Sequence, residues 1–324
     1  MKKNYLVTGA AGFIASETCS QLLDEGCTIV GVDDLNDYYD PSLKEYRLNI
    51  LKQSPNFKFF EMDLSDKQKM SKLFEVNHFD AIFNLGARAG VRASIKDPEI
   101  YFKTNTLGTL IVLELMKKFK VNKLVLASTS SLYAGQKGPF SESLPVNTPI
   151  SPYAASKKAA EVLAYTYHHL FNIDVSIVRY FTVYGPAGRP DMSVLRFIKK
   201  IDCNEPIDLY GDGSQSRDFT YVDDIARGTI TAVKPSGYEI FNLGGGNNPI
   251  TIAHLISEIE KNLKKKATVN THDFIDADMK ETWADISKAN SLLGWKPRVS
   301  FNEGIRKTIN WYLENKDLVK TFKF

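Results

Sequence analysis

Short apolar runs alternate with helical patterns through the first half of the chain. The apolar runs predict strands at residues 5–7, 28–32, 57–61, 81–84, 123–127 and 173–178. Helical spacing of apolar positions predicts helices at 13–25, about 67–76, 101–119 and about 152–171. Runs that are apolar throughout are typical of strands buried on both faces, and their alternation with helices indicates right-handed crossovers. The pattern therefore predicts an α/β fold built on a doubly wound parallel sheet.

The pattern changes after about residue 182, where glycine and proline become frequent and the apolar runs become short. A strand is predicted at 241–243, a helix at 252–263 and an amphipathic terminal helix at 301–313. We expect a second, smaller domain of mixed α/β type here. The predicted first domain is 1–181 with a returning segment at about 220–248, and the second is 182–219 with 249–324.

Composition and charge narrow the possible partners. The 324 residues are 43% hydrophobic and 24% charged, which is ordinary for a globular protein. The net charge is only +3 and basic residues form no stripe with interleaved aromatics, so we expect no nucleic-acid partner. No apolar stretch reaches the roughly 18 residues of a membrane span, so no membrane association is expected. The three cysteines lack metal-ligand spacing, which predicts reduced thiols in a cytoplasmic protein without a metal site.

A glycine-rich turn lies between the first predicted strand and the first predicted helix. Gly9 and Gly12 take the first two glycine positions of the turn, and Ala15 takes the third. Glycine lets a pyrophosphate approach bare backbone, and the helix amino end adds unpaired N–H groups. Asp33 follows about 20 residues downstream, where a carboxylate can accept from both ribose hydroxyls of adenosine. Because Asp33 and Asp34 would repel a 2′-phosphate, the sequence favours NAD over NADP and a Rossmann-type sheet.

Tyr153 and Lys157 lie four residues apart on one face of a predicted helix. A free phenol has a pKa of about 10 and is a poor base at neutral pH. The lysine ammonium and the positive nicotinamide of NAD are expected to favour the phenolate, so that Tyr153 can act as a general base for a sugar hydroxyl. Hydroxyl side chains at 128–131 leave the strand predicted before this helix. Each buried hydroxyl needs a partner, so these residues can hold a substrate oxygen during proton transfer.

Together these segments resemble the extended short-chain dehydrogenase/reductase family, and within it the NAD-dependent nucleotide-sugar epimerases. The resemblance covers nearly the whole chain. Besides the glycine turn and the Tyr153–Lys157 pair, it includes motifs at 63–64, 84–87, 179–186, 211–219 and 222–225. Segments 34–40, 89–92 and 188–192 are similar to signatures of the UDP-glucuronate 4-epimerase subgroup. The resemblance implies a Rossmann-type cofactor domain and a smaller domain that binds a nucleotide sugar.

The resemblance also implies roles for individual residues. Tyr153, Lys157 and Thr129 would be catalytic. Arg189 would face a sugar carboxylate, which suits a planar bidentate donor, and either Arg88 or Arg92 would reach substrate. The other substrate contacts would be Ser130, Thr182, Arg217 on the diphosphate and Asp278 on the uridine ribose. The NAD contacts would be Gly9, Gly12, Phe13, Ile14, Asp33, Asp63 and Leu64 beside adenine, Leu85, Ala87, Asn105 near nicotinamide, Ser128, Tyr153, Lys157 and Tyr180.

The reaction we expect is epimerisation at carbon 4 of a UDP-sugar, by oxidation, rotation of the flat 4-keto sugar and return of the hydride. Related dehydratases and decarboxylases carry carboxylic acids where this chain has Ser130 and Ser131, which argues against both. Thr182 stands where galactose-type epimerases carry Asn, which favours UDP-glucuronate over UDP-glucose. A galactose-type epimerase, a UDP-glucuronate decarboxylase and a non-catalytic NAD-binding sensor or scaffold are the alternatives.

A homodimer is also implied by the resemblance, with the helices near 101–118 and 153–170 pairing in a four-helix bundle. The same apolar residues could instead pack against the chain's own sheet. They are Leu107, Leu110, Leu113, Leu163 and Leu170.

Overall fold

Strands and helices alternate along most of the chain in the computed structural model, which describes residues 2–246, 249–274 and 279–322. None of the helices in these ranges is long and apolar enough to cross a bilayer. The strands are β1 Asn4–Thr8, β2 Thr28–Asp33, β3 Phe57–Glu61, β4 Ala81–Asn84, β5 Lys123–Thr129, β6 Asp174–Tyr180, β7 Thr182–Tyr184, β8 Ile207–Tyr210, β9 Ser216–Arg217, β10 Phe219–Tyr221, β11 Tyr238–Leu243, β12 Ile250–Thr251 and β13 Val269–His272. The helices are α1 Phe13–Asp24, α2 Pro41–Leu51, α3 Lys67–Val76, α4 Val91–Lys96, α5 Pro98–Tyr101, α6 Gly108–Phe119, α7 Pro152–Phe171, α8 Ser193–Asp202, α9 Val222–Thr231, α10 Ile252–Leu263, α11 Ser287–Leu293, α12 Phe301–Glu314 and α13 Lys316–Lys320, with a π-helical turn at Phe102–Leu107 and a 3₁₀ turn at Ser130–Tyr133.

Seven parallel strands form the central sheet, in the order β3-β2-β1-β4-β5-β6-β11. The chain builds from β1 outwards to β3, returns to the other side of β1 at β4 and continues to β6. The predicted doubly wound parallel sheet is therefore confirmed. Because the connections from β1 and β4 leave in opposite directions, a crevice opens at their carboxyl ends.

Both faces of this sheet are covered by helices. Leu6 and Val7 are neighbours on β1, are fully buried and belong to two different core clusters. Residues of α1, α2, α9 and α11 cover one face, and residues of α3, α6 and α7 cover the other. Double burial explains why the strand segments are apolar throughout and do not alternate.

The later part of the chain builds a further core beside the crevice. Apolar residues of α8, α10 and α12 form its main cluster. Three short strand pairs accompany it, with β7–β10 and β8–β13 parallel and β9–β12 antiparallel. In the predicted returning segment, β11 pairs with β6 at the edge of the large sheet. The proposed domain boundaries themselves stay a prediction.

Several helices were not predicted from the sequence, namely α2, α4, α5, α8, α9, α11 and α13. In α2 the physical reason is clear, because its buried face includes the charged residues Lys44 and Arg47 and apolar spacing is therefore weak. A local start signal is present nevertheless, since the Asp40 side chain accepts the N–H of Ser42 at 3.0 Å. The helix predicted at 101–119 is interrupted by the π-helical turn.

Candidate active site

A cavity of about 840 Å³ opens at the carboxyl ends of the central strands, a volume typical of small-molecule sites. Residues from both halves of the chain line it. Of the predicted site residues that the structure describes, Asn105 lies behind the wall, and the predicted residue Asp278 lies outside the described residues. The predicted residues in the wall are Gly9, Gly12, Phe13, Ile14, Asp33, Asp63, Leu64, Leu85, Ala87, Arg92, Ser128, Thr129, Ser130, Tyr153, Lys157, Tyr180, Thr182, Arg189 and Arg217.

The glycine turn after β1 leaves the amino end of α1 open to the cavity. Gly9 has φ +69°, and a Cβ there would lie 2.6 Å from the Cα of Gly86, so a larger residue does not fit. The N–H of Gly12 donates to the Gly9 carbonyl at 2.7 Å, and no side chain caps the helix. The first N–H groups of α1 are therefore suited to an anion such as a pyrophosphate.

Asp33 ends β2 and is buried beside the glycine turn. Its two oxygens accept the N–H groups of Ala11 at 3.3 Å and Leu35 at 2.9 Å. Burial raises the pKa of Asp33, and the ammonium of Lys44, 3.6 Å away, offsets part of the rise. A carboxylate has about four acceptor positions, so two remain for ribose hydroxyls. Lys44 carries no signal of its own in the sequence, because apolar spacing does not predict α2.

On the predicted adenine side, the carboxylate of Asp63 is already engaged. It accepts the N–H and the hydroxyl of Ser65 at 2.8 and 2.7 Å, and the ammonium of Lys103 at 3.0 Å. Burial acts to raise the pKa of Asp63, but these hydrogen bonds outweigh burial and the pKa is lowered. Asp63 is therefore a fixed anion beside Leu64 in the cavity wall.

The side chain of Asn105 supports the wall from behind. Its oxygen accepts the N–H of Arg88 at 2.8 Å, and its amide donates to the Arg88 carbonyl at 3.0 Å and to the Ser156 hydroxyl at 2.9 Å. Asn105 thereby ties the segment after β4 to α7. Both polar atoms of the side chain are used inside the protein, and the contact of Asn105 near nicotinamide stays a prediction.

Tyr153 lies in the first turn of α7, near the hydroxyl side chains that follow β5. Ser151 begins this helix by accepting a backbone N–H at 3.2 Å. Burial raises the pKa of Tyr153, while a hydrogen bond with Thr129 and the charge of Arg189 offset part of the rise. The protein atoms alone therefore do not produce the predicted acidic shift, and the positive nicotinamide of NAD, which the prediction also invokes, would act in addition to them. Desolvation of the phenolate outweighs the nearby donors.

Lys157 lies one turn along α7 from Tyr153 and is only 4% exposed. Its ammonium has no hydrogen-bond partner among the residues described here. Burial lowers the pKa of Lys157 from 10.5 to about 8, and the carboxylate of Glu161 offsets part of this effect. Glu161 accepts from Arg179 at 2.9 and 2.8 Å and from the Ser128 hydroxyl at 2.6 Å. Lys157 therefore faces the cavity with its donors available to a ligand.

Two arginines of the cavity wall lie over the ring of Tyr38. The guanidinium carbons of Arg88 and Arg189 are each 5.4 Å from the ring centre. Arg189 also donates to both carboxylate oxygens of Asp191, at 3.0 and 2.6 Å, and to the Ala89 carbonyl at 3.4 Å. Its Nη1 makes no such bond within the described ranges, so it can donate to a second carboxylate. Tyr38 and Asp191 were in recognised motifs, but the sequence assigned them no role.

Three further arginines, Arg92, Arg196 and Arg217, also line the cavity. Arg92 lies 4.6 Å from the centre of the Tyr210 ring, and Arg217 donates to two backbone carbonyls at 2.8 and 3.4 Å. Burial and the nearby charge of Arg92 lower the pKa of Arg196. Such a basic wall suits a diphosphate. Sequence analysis missed Arg196, although the strong apolar spacing of α8 could have placed it on a helix beside the cavity.

The chain is similar to known proteins over nearly its whole length. A family model described as GDP-mannose 4,6 dehydratase matches residues 6–308. A protein of Thermodesulfobacterium geofontis named UDP-glucuronate 4-epimerase is 58% identical over 319 residues, covering 98% of this chain and 99% of that protein. The structure of UDP-glucuronic acid 4-epimerase from Bacillus cereus in complex with UDP-glucuronic acid and NAD is 39% identical with a TM-score of 0.90, covering 96% of this chain and 99% of that one. The structure of UDP-glucose 4-epimerase from Thermotoga maritima with UDP-glucose is 29% identical with a TM-score of 0.88, covering 97% and 99%.

Proposed function

Because the chain belongs to the extended short-chain dehydrogenase/reductase family, in the branch that the GDP-mannose 4,6 dehydratase model describes, we propose that it is an NAD-dependent UDP-glucuronate 4-epimerase. The observation that carries the proposal is one cavity that holds the glycine turn, Tyr153 and the arginines. The relatives named for UDP-glucuronate support the choice of substrate, and the neighbour crystallised with NAD supports the choice of cofactor.

The residues in the cavity fit both ligands. When bound, NAD would supply a hydride acceptor for carbon 4 of the sugar and a positive charge that favours the phenolate of Tyr153. The uncapped end of α1 would hold the pyrophosphate, and Asp33 would accept the ribose hydroxyls. Tyr153 would take the proton of the C4 hydroxyl while Thr129 holds the same oxygen, and the charge of Lys157 would support the phenolate. Tyr153 would return the proton once the opposite face of the sugar has been reduced.

A uronic acid needs a restraint that a neutral hexose does not need. Its 4-keto form is a β-keto acid, which loses CO2 when the bond between C5 and the carboxyl carbon aligns with the ketone π-system. We assign the restraint to Thr182 and to Arg189, whose guanidinium is held by Asp191 and still has Nη1 to offer. The wall beside Tyr153 has serine hydroxyls at 130 and 131, where a decarboxylase or a dehydratase would need a carboxylic acid.

Incubation of the purified chain with UDP-glucuronate, followed by sugar analysis, tests the proposed reaction. We expect UDP-galacturonate as the product, and no turnover by Tyr153→Phe, which keeps the ring and loses the proton carrier. UDP-xylose as the product would instead indicate decarboxylation. No turnover by the unmodified chain would favour a sensor, and faster turnover of UDP-glucose would favour a galactose-type epimerase. Each of these three results would refute the proposal.

Replacement of Arg189 by alanine tests the carboxylate contact. A hydrogen bond to a charged group contributes about 1.5–3 kcal/mol, so kcat/KM for UDP-glucuronate should fall about 10- to 100-fold. The loss on UDP-glucose should be smaller and limited to the effect of Arg189 on the Tyr153 pKa, because that sugar has no carboxylate. Arg196→Ala is the matched control, since we assign this arginine to the diphosphate that both substrates carry, so its loss should affect both alike. Equal losses for Arg189→Ala on both substrates would reject the assignment.

The five leucines considered for a dimer interface have different environments. Leu113 is fully buried, and Leu110 and Leu163 pack against the chain's own core. Leu107 and Leu170 are exposed. The alternative of packing on the chain's own sheet therefore holds for three of the five.

We also propose a homodimer in which α7 and the helical segment near 101–118 pair with their copies in a four-helix bundle. Val162, Tyr165 and Leu170 are each more than half exposed and share one face of this helix. A contiguous exposed apolar face of this kind is typical of a protein interface. Light scattering at micromolar concentration should give a dimer mass, and Val162→Glu should give a monomer. A monomer mass for the unmodified chain would end this proposal.

We place the protein in the cytoplasm, where thiols remain reduced. Cys19 and Cys27 are buried and Cys203 is exposed, and all three are free thiols. Cell fractionation should recover the chain with cytoplasmic markers, and recovery from an extracellular fraction would contradict this location.

A further inference from the structure

Lys44 is a buried lysine in the cavity wall with no role so far. Its ammonium lies 3.6 Å from Oδ1 of Asp33 and 5.4 Å from the centre of the Tyr39 ring, and the residue is 4% exposed. Within the part of the chain that the structure describes, Lys44 donates no hydrogen bond. An ammonium has three N–H donors, and because Lys44 lines the cavity these donors can be reached by a ligand. The donors of Lys44 therefore suit an acceptor that a ligand brings to Asp33.

The position of Lys44 is fixed by its neighbours on α2. Arg47, one turn further along, donates to the carbonyl of Ala11 in the glycine turn at 2.9 Å and to the carbonyl of Ala187 at 3.1 and 2.6 Å. Ala11 in turn donates its N–H to Asp33. These contacts connect α2, the glycine turn and the end of β2, so they hold the backbone that carries Lys44 beside Asp33.

We propose that Lys44 is a specificity-determining residue of the adenosine ribose site, placed to meet a 2′-phosphate that Asp33 rejects. The inference rests on the proposed use of NAD and deepens it. A 2′-phosphate carries a charge of about −1.5 to −2, so the carboxylate of Asp33 repels it. The ammonium of Lys44 would give the same phosphate a charge-assisted hydrogen bond. A ribose diol satisfies both residues, since its hydroxyls donate to Asp33 and accept from Lys44. Selection of NAD therefore depends on Asp33 outweighing a neighbouring cation.

Binding of adenosine fragments to the full chain, freed of cofactor, tests this directly. The probes are 5′-AMP and 2′,5′-ADP, measured by calorimetry, together with NAD and NADP. In Asp33→Asn, the preference for 2′,5′-ADP over 5′-AMP should rise about 10- to 100-fold. This is the ratio expected when Lys44 makes one charge-assisted hydrogen bond to the 2′-phosphate and the carboxylate no longer repels it. Adding Lys44→Met should remove most of this gain, whereas adding Lys44→Arg should preserve it.

The matched control is Asp33→Asn combined with Lys52→Met, because Lys52 is an exposed lysine at the end of α2 and the net charge is the same. This control should keep the gain. No gain in Asp33→Asn, or equal ratios with and without Lys44→Met, would overturn the proposal. Thermal unfolding identifies any variant that does not fold. If the variant with Lys44→Met does not fold, comparison of Asp33→Asn with and without Lys44→Arg still tests whether a cation at position 44 keeps the gain. The probes contain no sugar nucleotide, so an error in the proposed epimerase activity would leave this test readable.

Discussion

Replacing Lys157 by methionine should stabilise the cofactor-free protein at neutral pH although it removes a residue of the active site. The wild-type residue is 4% exposed, and its ammonium faces the cavity without a hydrogen-bond partner among the described residues. Methionine is unbranched and apolar, so it removes the buried charge and still fills the space. Glu161, the carboxylate that acts on Lys157, keeps its bonds from Arg179 and Ser128, so the substitution leaves no charge unpaired.

The magnitude follows from the pKa of Lys157. Lowering this pKa from 10.5 to about 8 corresponds to about 3 kcal/mol that the folded state loses by holding the charge. Because the folded pKa lies below the unfolded one, the folded protein binds fewer protons between these two values. Wild-type stability should therefore rise with pH across that window, and the variant should lack this rise. We expect Lys157→Met to be about 1–3 kcal/mol more stable at pH 7, with an advantage that shrinks as the pH approaches 10.5.

Urea unfolding across this pH range, followed by tryptophan fluorescence, measures the difference in free energy. Lys158→Met is the matched control, because Lys158 is the next residue and pairs with Glu161 at 3.6 Å, so its removal should bring no gain. Turnover of UDP-glucuronate by Lys157→Met should fall at least about 100-fold. A variant that is less stable at pH 7, or a gain that does not change with pH, would refute the reasoning.

Three further predictions concern the glycine turn, a buried ion pair and the carboxylate of Asp202. Gly9→Ala should abolish NAD binding in equilibrium dialysis, because its Cβ would lie 2.6 Å from the backbone of Gly86; wild-type affinity would contradict this. Glu161→Gln should lower the free energy of unfolding by about 3–5 kcal/mol, because Arg179 stays buried without its charge partner, and a loss below about 1 kcal/mol in urea would be inconsistent with that pairing. At Asp202, burial acts to raise the pKa, but hydrogen bonds from two lysines and a tyrosine outweigh it and lower the pKa from 3.8 to about 2. The stabilisation by the Asp202 carboxylate is therefore present above its ordinary pKa and is lost as the pH falls towards 2. The melting temperatures of wild type and Asp202→Asn should differ at neutral pH and converge in acid. A difference that stays constant with pH would contradict this expectation.

Features that depend on neighbouring positions in the chain were accessible without coordinates. The strands of the central sheet are apolar because both faces are covered, and that pattern is visible in the residues themselves. Gly9 follows a strand and precedes a helix, and Tyr153 and Lys157 share a helix face through their spacing alone. Parallel strands then bring these segments to one edge of the sheet, so the cofactor side of the site followed from local patterns and one topological rule.

Features that depend on contacts between distant segments required the tertiary structure. Helix α2 buries Lys44 beside Asp33 and buries Arg47 against two backbone carbonyls. No apolar periodicity in the sequence indicates such a helix. The side chain of Asn105 makes its hydrogen bonds with Arg88 and Ser156 inside the protein. The upward direction of the Tyr153 pKa was also out of reach, because it depends on how completely water is excluded from the phenol, which only the packing of the whole cavity determines.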